Sequence, residues 1–185
     1  MDVDRKEFLT QASLGVLAFT IAGHTVLLTA RQARAQGIPL HILSAHEART
    51  LEAMGETLLP GARQAGIANF VDQQLGVAPE DGLVVLRYLD FPPPYTPFYQ
   101  ASLATLDHAS QASHHENFAD LSEAQRRSMV ESMGTGNPPG WQGPPAPLVY
   151  FALRSDAVDV VYGTVEGFAK LQVPYMPHIL PPRRW

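Results

Sequence analysis

The chain has 185 residues, 13 Lys and Arg against 18 Asp and Glu, a formal net charge of -5, and no cysteine. Without cysteine there can be no disulfide, thiolate metal site, iron–sulfur cluster or thioether-linked haem, and the acidic balance speaks against nucleic acid as a partner. Sixteen prolines and fourteen glycines predict short helices separated by irregular connections.

The first 35 residues read as an export signal. Arg5-Lys6-Glu7-Phe8-Leu9 precedes an uncharged run over 10–30, and Ala33-Arg34-Ala35 places small residues at the two positions a signal peptidase reads. The strongly apolar part, 14–22, has the length of a signal-peptide core rather than the roughly 20 residues of a membrane span. An uncleaved anchor and a buried globular helix are the alternatives. The Arg5-Lys6-Glu7-Phe8-Leu9 order resembles the twin-arginine signal, with Arg5, Phe8 and Leu9 at its spacing and Lys6 in place of the second arginine. That signal addresses proteins that cross the membrane folded. Cleavage after Ala35 would leave about 150 residues, enough for one core. The first 35 residues carry four basic and three acidic side chains, so their loss moves the formal charge from -5 to -6.

In the remainder, Ser44 and Glu47 form a capping-box pattern ahead of Ala48, Leu51, Met54 and Leu58, and Pro60-Gly61 ends this first helix. Ile67, Phe70, Val71 and Leu75 repeat the helical spacing up to Gly76. A third helix is predicted over 79–89, apolar nearly all round and therefore central. Phe91-Pro92-Pro93-Pro94-Tyr95-Thr96-Pro97 cannot be helical. A fourth helix follows over 98–113 with Tyr99, Leu103 and Leu106 inward. Ser122 and Gln125 cap a fifth that ends at Gly134, and 135–147, with five prolines and three glycines, is a loop. A sixth helix spans 148–162. The expected fold is mostly α: a compact bundle of about six short helices with long proline-rich loops and an extended C-terminal tail. The expected organisation is an export signal (1–35), a helical domain (36–172) and a proline-rich tail (173–185).

His108, His114, His115 and Glu116 are the one histidine–carboxylate cluster. Such residues can ligate zinc or iron, but adjacent histidines point in different directions on a helix, and a solvated helix end accounts for them. Glu47, Glu52, Asp72 and Asp107 read as caps, surface groups and local ion pairs. No dinucleotide, P-loop or hydrolase-elbow motif is present in the sequence, and no catalytic, cofactor-binding or metal-binding residue is assigned. Tyr175, Met176, His178, Ile179, Leu180 and Trp185, spaced by prolines, form a strip suited to a partner surface; Tyr95 and Phe98 are expected to be exposed on a proline scaffold of the same character.

The ordered set Leu43-Ser44-Ala45-His46-Glu47, Leu58-Leu59-Pro60, Ala65-Gly66-Ile67-Ala68-Asn69-Phe70, Tyr99-Gln100-Ala101-Ser102-Leu103 and Phe118-Ala119-Asp120-Leu121-Ser122 resembles the subunit 3 family of gluconate 2-dehydrogenase. The resemblance implies a noncatalytic small subunit in the periplasm, with no cofactor of its own. It also implies a large FAD-dependent partner of the glucose-methanol-choline type that oxidises a sugar or alcohol, and often a cytochrome c subunit. The small subunit supports export, maturation and stability of the flavoprotein, and meets the membrane only through its signal or the complex. A different class of reading is an autonomous periplasmic metal-binding protein or enzyme built on His108, His114 and His115.

Overall fold

The computed structural model describes residues 15–21 and 23–173. Val16–Ile21 (β1) and His24–Thr29 (β2) pair antiparallel, with Val16 opposite Thr29 and Ile21 opposite His24. Val16, Thr20, Ile21, Thr25, Val26 and Thr29 are β-branched and favour extended backbone. Gly23 takes the positive φ (80°) that a tight hairpin turn demands. A lone hairpin is marginal in water. This one buries Leu17, Phe19 and Leu28.

Thr29 and Gln32 then form a reciprocal capping box that starts Ala30–Ala35 (α1). The hairpin and α1 pack against Ile67–Gly76 (α4), and α1 also meets Ala62–Ala65 (α3). Packing is therefore continuous across residue 35. The uncharged run over 10–30 is, within its described part, two strands and the start of a helix.

Between α1 and α4 runs Ala45–Leu58 (α2), opened by the Ser44–Glu47 capping box. It packs against α3, α4, Thr96–His114 (α5), a 3₁₀ turn at Phe118–Asp120, Glu123–Met133 (α6) and Ala146–Tyr162 (α7). It is the centre of the domain. Its position against α4 depends on Gly55, where a Cβ would lie 2.7 Å from Ile67 Cδ1. Val165–Lys170 (α8), capped by Thr164, closes against α7. Among the described residues no helix is long and apolar enough to cross a membrane.

Helices expected from 44, 67, 98, 122 and 148 are all present as α2, α4, α5, α6 and α7, and the fold is mostly α. Tyr99, Leu103 and Leu106 are fully buried, as the spacing demanded. The helix expected over 79–89 shrinks to a 3₁₀ turn, Val85–Leu89, and is not central. Gly82 weakens a helix there, and the Gln74 side chain captures the Leu83 amide at 2.6 Å. Val84 and Leu86 are buried, but Tyr88 and Leu89 face out.

One carboxylate organises the approach to α2. Asp72, buried on α4, accepts the consecutive amides of His41 (2.9 Å), Ile42 (2.8 Å) and Leu43 (2.8 Å). Hydrogen bonds to a charged group are the strong kind. Asp72→Ala should therefore destabilise the domain by about 3 kcal/mol or more, seen as a lower urea midpoint with an unchanged slope.

Candidate functional site

Several ionisable side chains come together inside the domain, as joints between helices. Asp107 on α5 connects to three groups. Its Oδ2 accepts the Thr50 hydroxyl at 3.0 Å and lies 2.8 Å from His46 Nε2; its Oδ1 accepts the Phe118 amide at 2.9 Å. Both residues on the α2 side lie in its first two turns, so the group ties α2, α5 and the 3₁₀ turn at Phe118–Asp120. The sequence reading placed Asp72 and Asp107 among caps, surface groups and local ion pairs. Both are buried, with partners 11 to 61 residues away in the chain.

The second joint is a buried Tyr99–Asp156 pair. The Tyr99 hydroxyl donates to Asp156 Oδ2 at 2.7 Å, while Oδ1 has no hydrogen-bond partner among the described residues. Asp156 is wholly enclosed between α5 and α7. Burial pushes its carboxyl up to about 8, against the pull of the tyrosine hydroxyl that lowers it, so the group is neutral at pH 7. The same burial, with Asp156 beside it, raises Tyr99 well above the usual phenol range. Asp156 was legible by spacing: Val149, Leu153, Asp156 and Val160 fall on one stripe of α7, with an acid where an apolar residue is expected.

One turn further along α7, Asp159 stands at the rim of a cavity of about 580 Å³. Leu17, Ala30 and Phe70 form part of its apolar wall, and Arg31 and Glu166 add charge. Asp159 still reaches solvent, yet partial loss of hydration pushes it up to about 6. Glu166 is held below the ordinary carboxylate range, first by its hydrogen bond to Lys170 and then by Arg31. The cavity thus lies between the hairpin with α1 on one side and α7 with α8 on the other.

The histidine cluster does not converge. His108 is exposed, and its Nδ1 lies 2.9 Å from the Gly140 carbonyl oxygen, linking α5 to the 135–147 loop. His114 is the last residue of α5, and His115 turns away in the left-handed region at φ 62°. Among the described residues no group of three or more His, Asp or Glu could hold a metal ion.

Two of the partner-surface candidates require correction. Tyr95 and Phe98 are buried, not exposed: Pro97 sits in the first turn of α5 and turns Phe98 inward, edge-on to Phe91 (5.3 Å) and Tyr99 (5.7 Å). Tyr175, Met176, His178, Ile179, Leu180 and Trp185 lie outside the described residues, as do Arg5, Lys6, Phe8 and Leu9. Ala33 and Ala35 lie on α1, Ala33 fully buried and Ala35 exposed. The large apolar side chains that do face out are Tyr88 and Leu89, Phe151 and Val158 on α7, Val165 on α8, and Leu171 and Val173 beyond it. Phe151 and Val158 are two helical turns apart and share a face.

The molecule is thus a mostly helical domain whose buried acids join helices and whose surface carries unpaired apolar side chains on neighbouring elements. The family model for gluconate 2-dehydrogenase subunit 3 matches residues 45–180, and the chain belongs to that family. Its members are by name one subunit of a dehydrogenase complex, which makes a dehydrogenase the partner. No curated protein and no solved structure matches the chain.

The Tyr99–Asp156 pair makes a pH prediction. Unfolded, Asp156 ionises near pH 4; folded, it holds its proton to about 8. Between these values the folded state binds the extra proton, so stability should fall as pH rises. Asp159 adds a smaller effect of the same sign. Asp156→Asn keeps an acceptor for Tyr99 and should flatten the decline in denaturation midpoint between pH 5 and pH 8; an unaltered decline would refute the assignment.

Proposed function

We propose that this chain is the noncatalytic small subunit of a periplasmic FAD-dependent sugar or alcohol dehydrogenase. It carries its folded, flavin-loaded partner across the membrane by the twin-arginine route and stays bound to it, with a cytochrome c subunit as the further member of the complex. The observation that carries the reading is the family match over residues 45–180. Three features support it. The acids Asp72, Asp107 and Asp156 are engaged in joints between elements rather than turned toward a substrate. Phe151 and Val158 offer an apolar helix face of the kind a subunit interface covers. Arg5, Lys6, Phe8 and Leu9 supply the signal pattern for folded cargo.

Coexpression decides the central claim. The flavoprotein expressed with this chain should appear active in the periplasm, and expressed alone it should remain in the cytoplasm or be degraded. Equal periplasmic activity in both cases would sink the proposal.

The interface is testable separately. Phe151→Lys, an exposed substitution that should change domain stability by under about 0.5 kcal/mol, should weaken association with the large subunit by about 2 kcal/mol, roughly thirtyfold in Kd. Removal of 173–185 should likewise cost co-elution on gel filtration. Unchanged co-elution of both variants would place the interface elsewhere.

A further inference from the structure

We infer that residues 15–35 are a permanent part of the folded subunit, and that the Ala33-Arg34-Ala35 site is closed to a processing peptidase once the chain has folded. In its timing the inference rests on the proposed folded export, because a cargo that crosses the membrane folded meets the peptidase folded.

The geometry is specific. A signal peptidase binds an extended segment by two small side chains one residue apart. Here both sit on α1, and the Ala33 side chain is fully buried. The turn after the helix is closed by backbone bonds, Gln36 N–H to Gln32 O at 2.9 Å, Gly37 N–H to Arg34 O at 3.0 Å and Ile38 N–H to Ala33 O at 3.0 Å. The bond to be cut, between residues 35 and 36, lies inside this turn. On the outer side, Arg34 Nε donates to Glu52 Oε1 of α2 at 3.2 Å.

The main domain is also shaped to receive the segment. Gly66, between α3 and α4, has φ 87°, and a Cβ there would lie 2.3 Å from the Ala30 carbonyl oxygen and 2.6 Å from its carbon. The backbone of α1 occupies the space that any side chain at 66 would need. The hairpin is held in the same way from two directions. Gln73 Nε2 of α4 donates to the Ala18 carbonyl at 3.2 Å. A Cβ on Gly15 would meet Thr164 Cγ2 at 3.0 Å, at the junction of α7 and α8. Removing everything before residue 36 would strip Leu17, Phe19, Leu28, Ala30 and Ala33 from the core.

Two measurements test this. In purified full-length chain, trypsin should cut after Arg31 and Arg34 at least about tenfold more slowly than in Gly66→Leu, in which the Ala30 backbone is displaced; native-state proteolysis reports such local opening. Leu28→Asp, which charges the buried face of the hairpin without touching α3 or α4, gives the same comparison should Gly66→Leu fail to fold, with circular dichroism confirming that helix content is kept. Equal cleavage of wild type and variants at these two arginines overturns the inference. The second measurement is the intact mass of C-terminally tagged chain recovered from the periplasm with its partner. A mass that retains residues 15–35 supports the inference; an N-terminus at Gln36 refutes it. Should the chain stay in the cytoplasm, the export reading fails, and the trypsin comparison still decides whether the segment belongs to the fold.

Discussion

The carboxylate of Asp107 holds the central helix in register with its neighbours. A buried acid is tolerable only when its oxygens are satisfied, and here the satisfying groups come from two separate elements, His46 and Thr50 on α2 and the Phe118 amide opening a 3₁₀ turn, with the acid itself on a third, α5. Loss of either donor side chain leaves the acid short of a partner, so the arrangement of α2, α5 and the 118–120 turn is strongly coupled. Asp72 applies the same principle to three consecutive amides ahead of α2. Asp156 solves the problem differently, by staying protonated against a single tyrosine. In a chain without cysteine, these polar joints link short helices that no disulfide braces.

That internal use of its acids bears on function. Asp72, Asp107 and Asp156, the acids that are most buried, point into helix junctions, and the histidines of α5 diverge along and beyond the helix. Outside there is also apolar surface: Tyr88, Leu89, Phe151, Val158 and Val165 lie on a 3₁₀ turn and two helices, with α7 packing on the other two elements. The chemistry of such a surface is that of association, in keeping with membership of a family named for a subunit.

Much of the helical framework was legible because its determinants are local. Ser44 with Glu47, and Ser122 with Gln125, are capping boxes readable over four residues, and the helices they open start where those pairs stand. Errors arose where distant residues decide. Nothing near 79–89 announces that Gln74 will take the Leu83 amide and limit the helix. Tyr95 and Phe98 beside prolines suggested exposure, whereas both are buried at the start of α5, Phe98 against Phe91 and Tyr99. The three-amide grip of Asp72 spans about thirty residues and has no sequence pattern. The hairpin was hidden for another reason: an uncharged stretch behind basic residues reads as a signal core, and the packing of Leu17, Phe19 and Leu28 that shapes it as a hairpin comes from distant helices.

Gly66 carries a practical consequence of that packing. Because the Ala30 backbone fills the space above it, the N-terminal segment and the α3–α4 corner fit each other as a lock and its own key, and neither can be exchanged without the other. A foreign export leader joined at residue 36 would deliver a domain with an open apolar seam, prone to associate with itself. The junction for any such exchange belongs before Gly15, so that the native hairpin travels with the helices it covers.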